Sequence, residues 1–162
     1  MTRYATVWSD VWDDDRFLKC SNDAKVLYMF LISNHATNLI GYYQAPRNLA
    51  QASLSFGTEE FDTILNEIAD AGLIAISSDR KYVLIKGYLK FNKINGDSQF
   101  KKLKVELEHI ERNSLDSTFV SEINRFCFKE AELILTQYIP ENMSEFAEIT
   151  QTNPITKDLI WS

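Results

Sequence analysis

The sequence predicts a mainly α-helical fold that contains one small β-hairpin. Apolar residues recur every three and four positions along several segments, which is the spacing of a helix with one buried face. Two β-prone runs, 73–76 and 82–85, are separated by five polar or charged residues, as in a hairpin. The 162 residues, of which 45% are apolar, are enough to bury a core without a disulfide or a metal ion.

The N-terminal residues 4–15 predict an irregular arm with Trp8 and Trp12 as aromatic anchors. Four nearby carboxylates, those of Asp10 and of the three consecutive aspartates at 13–15, could suggest a divalent-cation site. They lack the alternating spacing and the glycine of a calcium loop, so they indicate a solvated turn or the start of a helix.

Two helices are predicted after the arm. The first extends to Asn34, with Ser21 or Asn22 as its N-cap, because either side chain can accept a hydrogen bond from the first turn. Its apolar face consists of Ala24, Leu27, Tyr28, Leu31 and Ile32. Residues 39–43 then form a short extended piece, and a proline opens a short helix over 46–52.

A third, longer helix is predicted over 58–71, with Thr58 as its N-cap and a glycine-containing turn before it. Two helices joined by such a turn are typical of a helix-turn-helix. Gly72 ends the third helix, and the hairpin follows directly. Three helices followed by two strands predict a winged helix-turn-helix core.

Additional helices are predicted beyond this core. A linking stretch over 87–97 leads to a helix over 98–113, and a further helix over 117–138 is closed by Pro140. The predicted organisation is therefore a winged-helix domain over 1–95, a helical extension packed on or beside it over 96–139, and a weakly structured C-terminal segment over 140–162.

Charge is distributed unevenly along the chain, although the net charge is −6. Residues 1–79 carry 5 basic against 11 acidic side chains, and residues 105–162 carry 4 against 11. Between them, residues 80–104 carry 8 basic side chains and a single aspartate. This middle block could attract a polyanion, or it could be a solvated surface with lysines that favour solubility.

Five short segments occur in a characteristic order within the first 112 residues. They are WSD at 8–10, SNDAK at 21–25 with Leu27 and Tyr28, NLIGYY at 38–43, AGLI at 71–74 and IKGYLKF at 85–91. In this order they resemble the N-terminal module of phage replisome organisers and of the related DnaD-like primosome proteins. The resemblance does not clearly cover 113–162. It implies a winged helix in the cytoplasm of a bacterial host that binds origin DNA or self-associates, and that helps to load the host helicase.

The third predicted helix departs from a usual DNA-recognition helix. It is acidic and contains no lysine or arginine, whereas proteins that read the major groove usually present Arg, Lys, Asn or Gln. On this helix only Thr63 and Asn66 are candidate base readers, and Arg47, Asn48 and Gln51 on the preceding helix could add contacts. Phosphate contacts are expected mainly from the wing and the basic segment after it: Arg80, Lys81, Lys86, Lys90, Lys101, Lys102 and Lys104.

Three aromatic residues, Tyr82, Tyr88 and Phe91, lie among these basic residues. They could stack on the bases of opened strands, although aromatic residues in strands usually belong to the core. A second functional class remains open: a winged-helix interaction module, adaptor or inhibitor that self-associates or binds a host protein such as a helicase or its loader, without contacting DNA.

Catalysis is not expected. The sequence contains no phosphate-binding loop of the GxxxxGK[ST] type, so the chain is not predicted to be an ATP-driven helicase or loader. Its two histidines and two cysteines provide no evident nucleophile and base, nor a set of metal ligands. We therefore expect a cytoplasmic binding protein with no cofactor, no metal site and no contact with membranes.

Overall fold

The computed structural model describes residues 4–127 and Ile134, and within them the fold is mainly helical with a small three-stranded sheet. In chain order the elements are a 3-10 helix at Ser9–Asp13, α1 at Asp15–Leu18, α2 at Asn22–Ser33, β1 at Tyr42–Gln44, α3 at Arg47–Leu54, α4 at Thr58–Asp70, β2 at Ile74–Ile76, β3 at Tyr82–Ile85, α5 at Tyr88–Phe91, α6 at Gly96–Glu108 and α7 at Asp116–Phe126.

The helix starts follow from local hydrogen bonding. Ser21 caps α2 as predicted, because its hydroxyl oxygen accepts the backbone N–H of Ala24 at 3.2 Å. The predicted cap of α4 is wrong by one residue: Gly57 is the N-cap and Thr58 is the first helical residue. Glu60 fixes this start, since its carboxylate accepts the backbone N–H of Gly57 at 3.1 Å.

The predicted two-stranded hairpin is part of a larger sheet. The extended piece before α3 forms β1, which pairs antiparallel with β3, and the strand order is β1–β3–β2. Tyr42 lies opposite Leu84, and Ile74 lies opposite Ile85. The extended piece was predicted over 39–43, but its pairing with β3 was not, because three residues are too few for a visible alternation of apolar and polar side chains.

The central strand β3 is buried on both faces, which explains its continuous apolar run. Alternate residues of a strand point to opposite sides. Val83 and Ile85 belong to a core formed with α2, α3 and α4, whereas Tyr82 and Leu84 belong to a second core formed with α6 and α7. The C-terminal helices therefore cover the second face of the sheet.

The C-terminal helices differ from the predicted ranges. The linking stretch contains the short helix α5, and α6 ends at Glu108 rather than at 113. Asn113 lies in the segment between α6 and α7, where its side chain donates to the Tyr42 hydroxyl at 2.6 Å and accepts the Leu115 N–H at 2.8 Å. The helix predicted over 117–138 ends at Phe126, and the remainder of that range, except Ile134, lies outside the described residues, as does 140–162.

One carboxylate joins α7 to the end of the sheet. Glu122 accepts the backbone N–H of Gly87 at 2.7 Å, and its neighbours include Lys86 and Arg125. Burial raises the pKa of Glu122 above its ordinary value, although the Gly87 hydrogen bond and the two cations oppose the shift. In the folded state this carboxyl group therefore holds its proton more tightly than in the unfolded chain.

A substitution at this position should change how stability depends on pH. A raised carboxyl pKa contributes to the free energy of unfolding. This contribution is fully present below the unfolded pKa of about 4.3 and is lost as pH rises through the folded pKa. Glu122→Gln retains an oxygen acceptor without a charge. We expect this variant to be more stable than the wild type at pH 7 and about equal to it at pH 4, as measured by urea denaturation. An identical difference at both pH values would contradict this assignment.

Candidate nucleic-acid interface

The first residue of α3 is a predicted DNA contact, and it packs against α4. The guanidinium group of Arg47 lies over the Phe61 ring, 5.0 Å from its centroid, and forms a 2.7 Å ion pair with Asp62. The apolar ring and the carboxylate together fix a long side chain that would otherwise be mobile.

A second arginine reaches the same carboxylate from the β2–β3 turn. Arg80 has a left-handed backbone with φ 61°, and its N–H closes the turn onto the carbonyl of Ser77 at 2.8 Å. Its guanidinium group binds Asp62 at 3.0 Å and Asn66 Oδ1 at 2.9 Å. Side chains from α3, α4 and the turn thus meet at Asp62. We call Arg47, Asp62, Asn66 and Arg80 the Asp62 cluster.

The Asp62 cluster carries more positive than negative charge, because two guanidinium groups share one carboxylate. Burial alone would raise the pKa of Asp62, but the hydrogen bonds from Arg47 and Arg80 outweigh it and hold that pKa below its ordinary value. The carboxylate is therefore charged at neutral pH. The side chains of Arg47 and Arg80 are 28% and 37% exposed, although the Arg47 Nη1 atom that pairs with Asp62 is itself buried.

The structure also accounts for most of the acidity of α4. Besides Asp62, Glu60 binds the Gly57 N–H at the start of the helix. Glu67 binds Ser21 twice, at 2.6 Å to its N–H and 2.8 Å to its hydroxyl. Three of the five acidic side chains of this helix thus have partners within the fold, which the sequence could not reveal because each partner lies in another segment or in the preceding turn. Glu59 and Asp70 are exposed.

The other predicted DNA contacts on α3 and α4 differ in whether their side chains have hydrogen-bond partners within the fold. Gln51 donates its side-chain amide to the Thr58 hydroxyl at 3.0 Å, so it ties α3 to α4. The Thr63 hydroxyl donates to the carbonyl of Glu59 at 2.9 Å, one helical turn earlier. Asn48 is exposed on α3. Of the five predicted DNA contacts on these two helices, Arg47 and Asn66 belong to the Asp62 cluster.

Lys81, the other cation of the β2–β3 turn, pairs with the segment between α6 and α7. Lys81 forms a 2.9 Å ion pair with Glu111, and this hydrogen bond raises the pKa of Lys81. The neighbouring Ser78 N–H donates to the Ser114 hydroxyl at 2.8 Å. The segment between α6 and α7 therefore holds one side of the turn, and Arg80 rather than Lys81 faces α4.

The remaining predicted phosphate contacts lie beyond the sheet. Lys81 precedes β3 and Lys86 follows it, a separation of about 16 Å at roughly 3.3 Å per residue. Lys102 forms a longer ion pair with Glu106, at 3.7 Å. Four predicted lysines are exposed and have no ion pair with any carboxylate of residues 4–127: Lys86, Lys90, Lys101 and Lys104. The predicted basic residues thus lie at the two ends of β3 and on α6.

The three aromatic residues that could stack on bases differ in their exposure. Tyr82 and Tyr88 are buried, and each belongs to a core. Phe91 is partly exposed and contacts Trp8, with their ring centroids 4.7 Å apart. Trp8 was predicted only as an anchor, since nothing in the sequence indicates that the arm returns to α5.

No protein-family model, curated protein or solved structure matches this chain. Across the described part of the chain, no group of three or more His, Cys, Asp or Glu side chains could hold a metal ion. No described helix has the length and apolar character needed to cross a membrane.

Proposed function

We propose that residues 22–85 form a winged helix, and that the chain is a non-catalytic DNA-binding module of phage-type replication initiation. The order α2, β1, α3, α4, β2, β3 supports this fold assignment, since it places three helices before a hairpin and closes the sheet with a strand between the first two helices. The resemblance to replisome organisers supports the replication role, and it also suggests a host helicase or its loader as a partner.

The observation that carries the DNA-binding proposal is the arginine surplus of the Asp62 cluster. Guanidinium groups bind phosphate oxygens in a bidentate manner, and two of them here share one carboxylate. Asn48 and Asn66 lie on the same two helices and carry amide groups of the kind that read base edges. The lysines at the other end of β3 and on α6 would add a longer-range attraction to the backbone.

Salt dependence tests this proposal. If about five phosphates are neutralised, the logarithm of the affinity for duplex DNA should fall with the logarithm of salt concentration at a slope of about −4 to −5. Fluorescence anisotropy with a labelled duplex at several salt concentrations measures this slope. A slope near zero, or no binding at low ionic strength, would contradict the proposal.

A second candidate function is an interaction module that self-associates or binds a host protein. Exposed apolar side chains near the N-terminus favour it: Trp12 is 59% exposed and Leu18 is 43% exposed. Light scattering of the same preparation separates the two candidates. Stable self-association without retention of DNA would support the interaction module over the DNA-binding module.

A further inference from the structure

A second surface with nucleic-acid chemistry lies away from the Asp62 cluster, at the other end of β3. A shallow groove of about 430 Å³ runs between the N-terminal arm, α5 and the start of α6. We call it the arm groove. Its chemically distinctive lining residues are Tyr4, Trp8, Lys90, Phe91, Lys93 and Gln99.

Aromatic rings line the arm groove and remain open to solvent. Tyr4 is 88% exposed and Trp8 is 46% exposed, although large apolar rings are usually covered. Trp8 and Phe91 contact each other at a centroid distance of 4.7 Å and an interplanar angle of 36°. The groove therefore presents neighbouring aromatic faces rather than a single exposed ring.

The arm is held in place beside α5 by hydrogen bonds. The Thr6 N–H donates to Asn92 Oδ1 at 3.0 Å, and the Asn92 side-chain amide donates to the Thr6 carbonyl at 3.4 Å. These two hydrogen bonds between the Thr6 backbone and the Asn92 side chain join residues 86 positions apart. They fix the position of Trp8 two residues further along, so the aromatic surface is formed before any ligand binds.

The charge of the arm groove is positive. None of its described lining residues carries a carboxylate, whereas two carry an ammonium group. Lys90 lies over the Phe91 ring, 5.1 Å from its centroid, and Lys93 is exposed. Cations among exposed aromatic rings are the combination that single-stranded nucleic acid requires, with bases on the rings and phosphates on the cations.

We propose that the arm groove binds single-stranded nucleic acid, with bases stacked on Tyr4 and Trp8, Phe91 supporting the Trp8 ring, and phosphates held by Lys90 and Lys93. Duplex DNA fits less well, because paired bases hide their faces from side chains. An acidic peptide would satisfy the lysines but leave the exposed rings without flat partners. This inference rests on the proposed function, because replication initiation would expose opened DNA strands. These strands would bind at a surface separate from the Asp62 cluster.

Tryptophan fluorescence reports directly on stacking in the arm groove. The chain has tryptophans at 8, 12 and 161, so Trp12→Phe combined with Trp161→Phe leaves Trp8 as the reporter. An oligothymidylate of about 20 nucleotides is long enough to span the groove. We expect it to quench Trp8 fluorescence, and we expect a polyglutamate peptide of similar charge not to do so. Quenching by the peptide but not by the oligonucleotide would overturn the proposal in favour of an acidic protein partner.

Variants then locate the contacts. Tyr4→Ala removes a ring that is almost fully exposed, so folding should be unaffected, and we expect affinity for the oligonucleotide to fall at least about fivefold. Lys90→Gln with Lys93→Gln should reduce the salt slope by about 1.4, since each single-strand phosphate contributes about 0.7. The matched control, Lys19→Gln with Lys25→Gln, changes net charge equally outside the groove and should leave the affinity nearly unchanged.

The outcomes separate this inference from the proposed function. If the groove variants bind the oligonucleotide as tightly as the wild type does, the arm groove is not the site, whether or not duplex DNA binds. If they lose the oligonucleotide and retain duplex binding, the arm groove is supported. If the oligonucleotide quenches Trp8 but duplex DNA never binds, the arm groove stands and the duplex-binding proposal fails.

Discussion

Replacing Gly41 by alanine is expected to destabilise the fold by about 2–4 kcal/mol, from backbone strain together with overpacking. Gly41 has φ +65°, a left-handed conformation that L side chains adopt at a cost. An added Cβ would lie 2.6 Å from Cγ of the buried Tyr88 ring. The Gly41 carbonyl also accepts the Ile85 N–H at 2.8 Å, so the backbone cannot move away without loss of a sheet hydrogen bond. Urea denaturation measures the change.

Gly72→Ala is the matched control for Gly41→Ala. Gly72 has a similar φ of +82°, but a Cβ there would have no atom within 4 Å. Its substitution should cost only the backbone strain, about 1–2 kcal/mol. Equal losses for the two variants would contradict the close packing of Tyr88 against Gly41, and with it the position of α5 against the start of β1.

Removing both arginines of the Asp62 cluster is expected to weaken duplex DNA binding about 100-fold. Arg47→Ala with Arg80→Ala deletes two charge-assisted contacts, each of which contributes roughly 1.5 kcal/mol or more. The salt slope should become shallower by about 1.8, because two phosphate contacts are lost. Asp62 would then lack its cations, but it is 32% exposed and can be hydrated. Anisotropy titrations at several salt concentrations measure both quantities.

A variant without the shared carboxylate tests the same surface in the opposite direction. Asp62→Asn removes the carboxylate that the two arginines share, and we expect it to tighten duplex binding severalfold. Asp14→Asn is the matched control: it also removes the aspartate of an arginine–aspartate pair, with Arg16 at 2.7 Å, but outside the cluster. Its affinity for DNA should stay close to that of the wild type. Weaker binding by the Asp62→Asn variant would contradict an anionic ligand at this position.

Local sequence signals were sufficient for most of the fold. The starts of α2 and α4 lie at or within one residue of the predicted positions, because capping and helical periodicity are properties of neighbouring residues. The pairing of β1 with β3 joins segments about 40 residues apart, and Asn113 donates to Tyr42, 71 positions away in the sequence. Long-range contacts of this kind leave no local periodicity in the sequence.

The candidate site was predictable in residue type but not in arrangement. A count of charges made α4 look repulsive to DNA, whereas Asp62 is shared by two arginines and Glu67 binds Ser21 at the start of α2. The same count treated Arg80 and Lys81 alike, yet the turn directs Arg80 to α4 and Lys81 to Glu111. The pairing of carboxylates with cations depends on tertiary packing, so a charge profile along the sequence cannot predict that pairing.

The most direct test of DNA binding at the Asp62 cluster is an NMR titration that follows the Nε–H signals of the arginine side chains. On addition of duplex DNA at low salt, the signals of Arg47 and Arg80 are expected to shift, because phosphates replace or join Asp62 as their partners. The signals of Arg16 and Arg112, which pair with Asp14 and Asp116, should stay in place. Unchanged Arg47 and Arg80 signals in a sample that demonstrably binds the duplex would contradict the account.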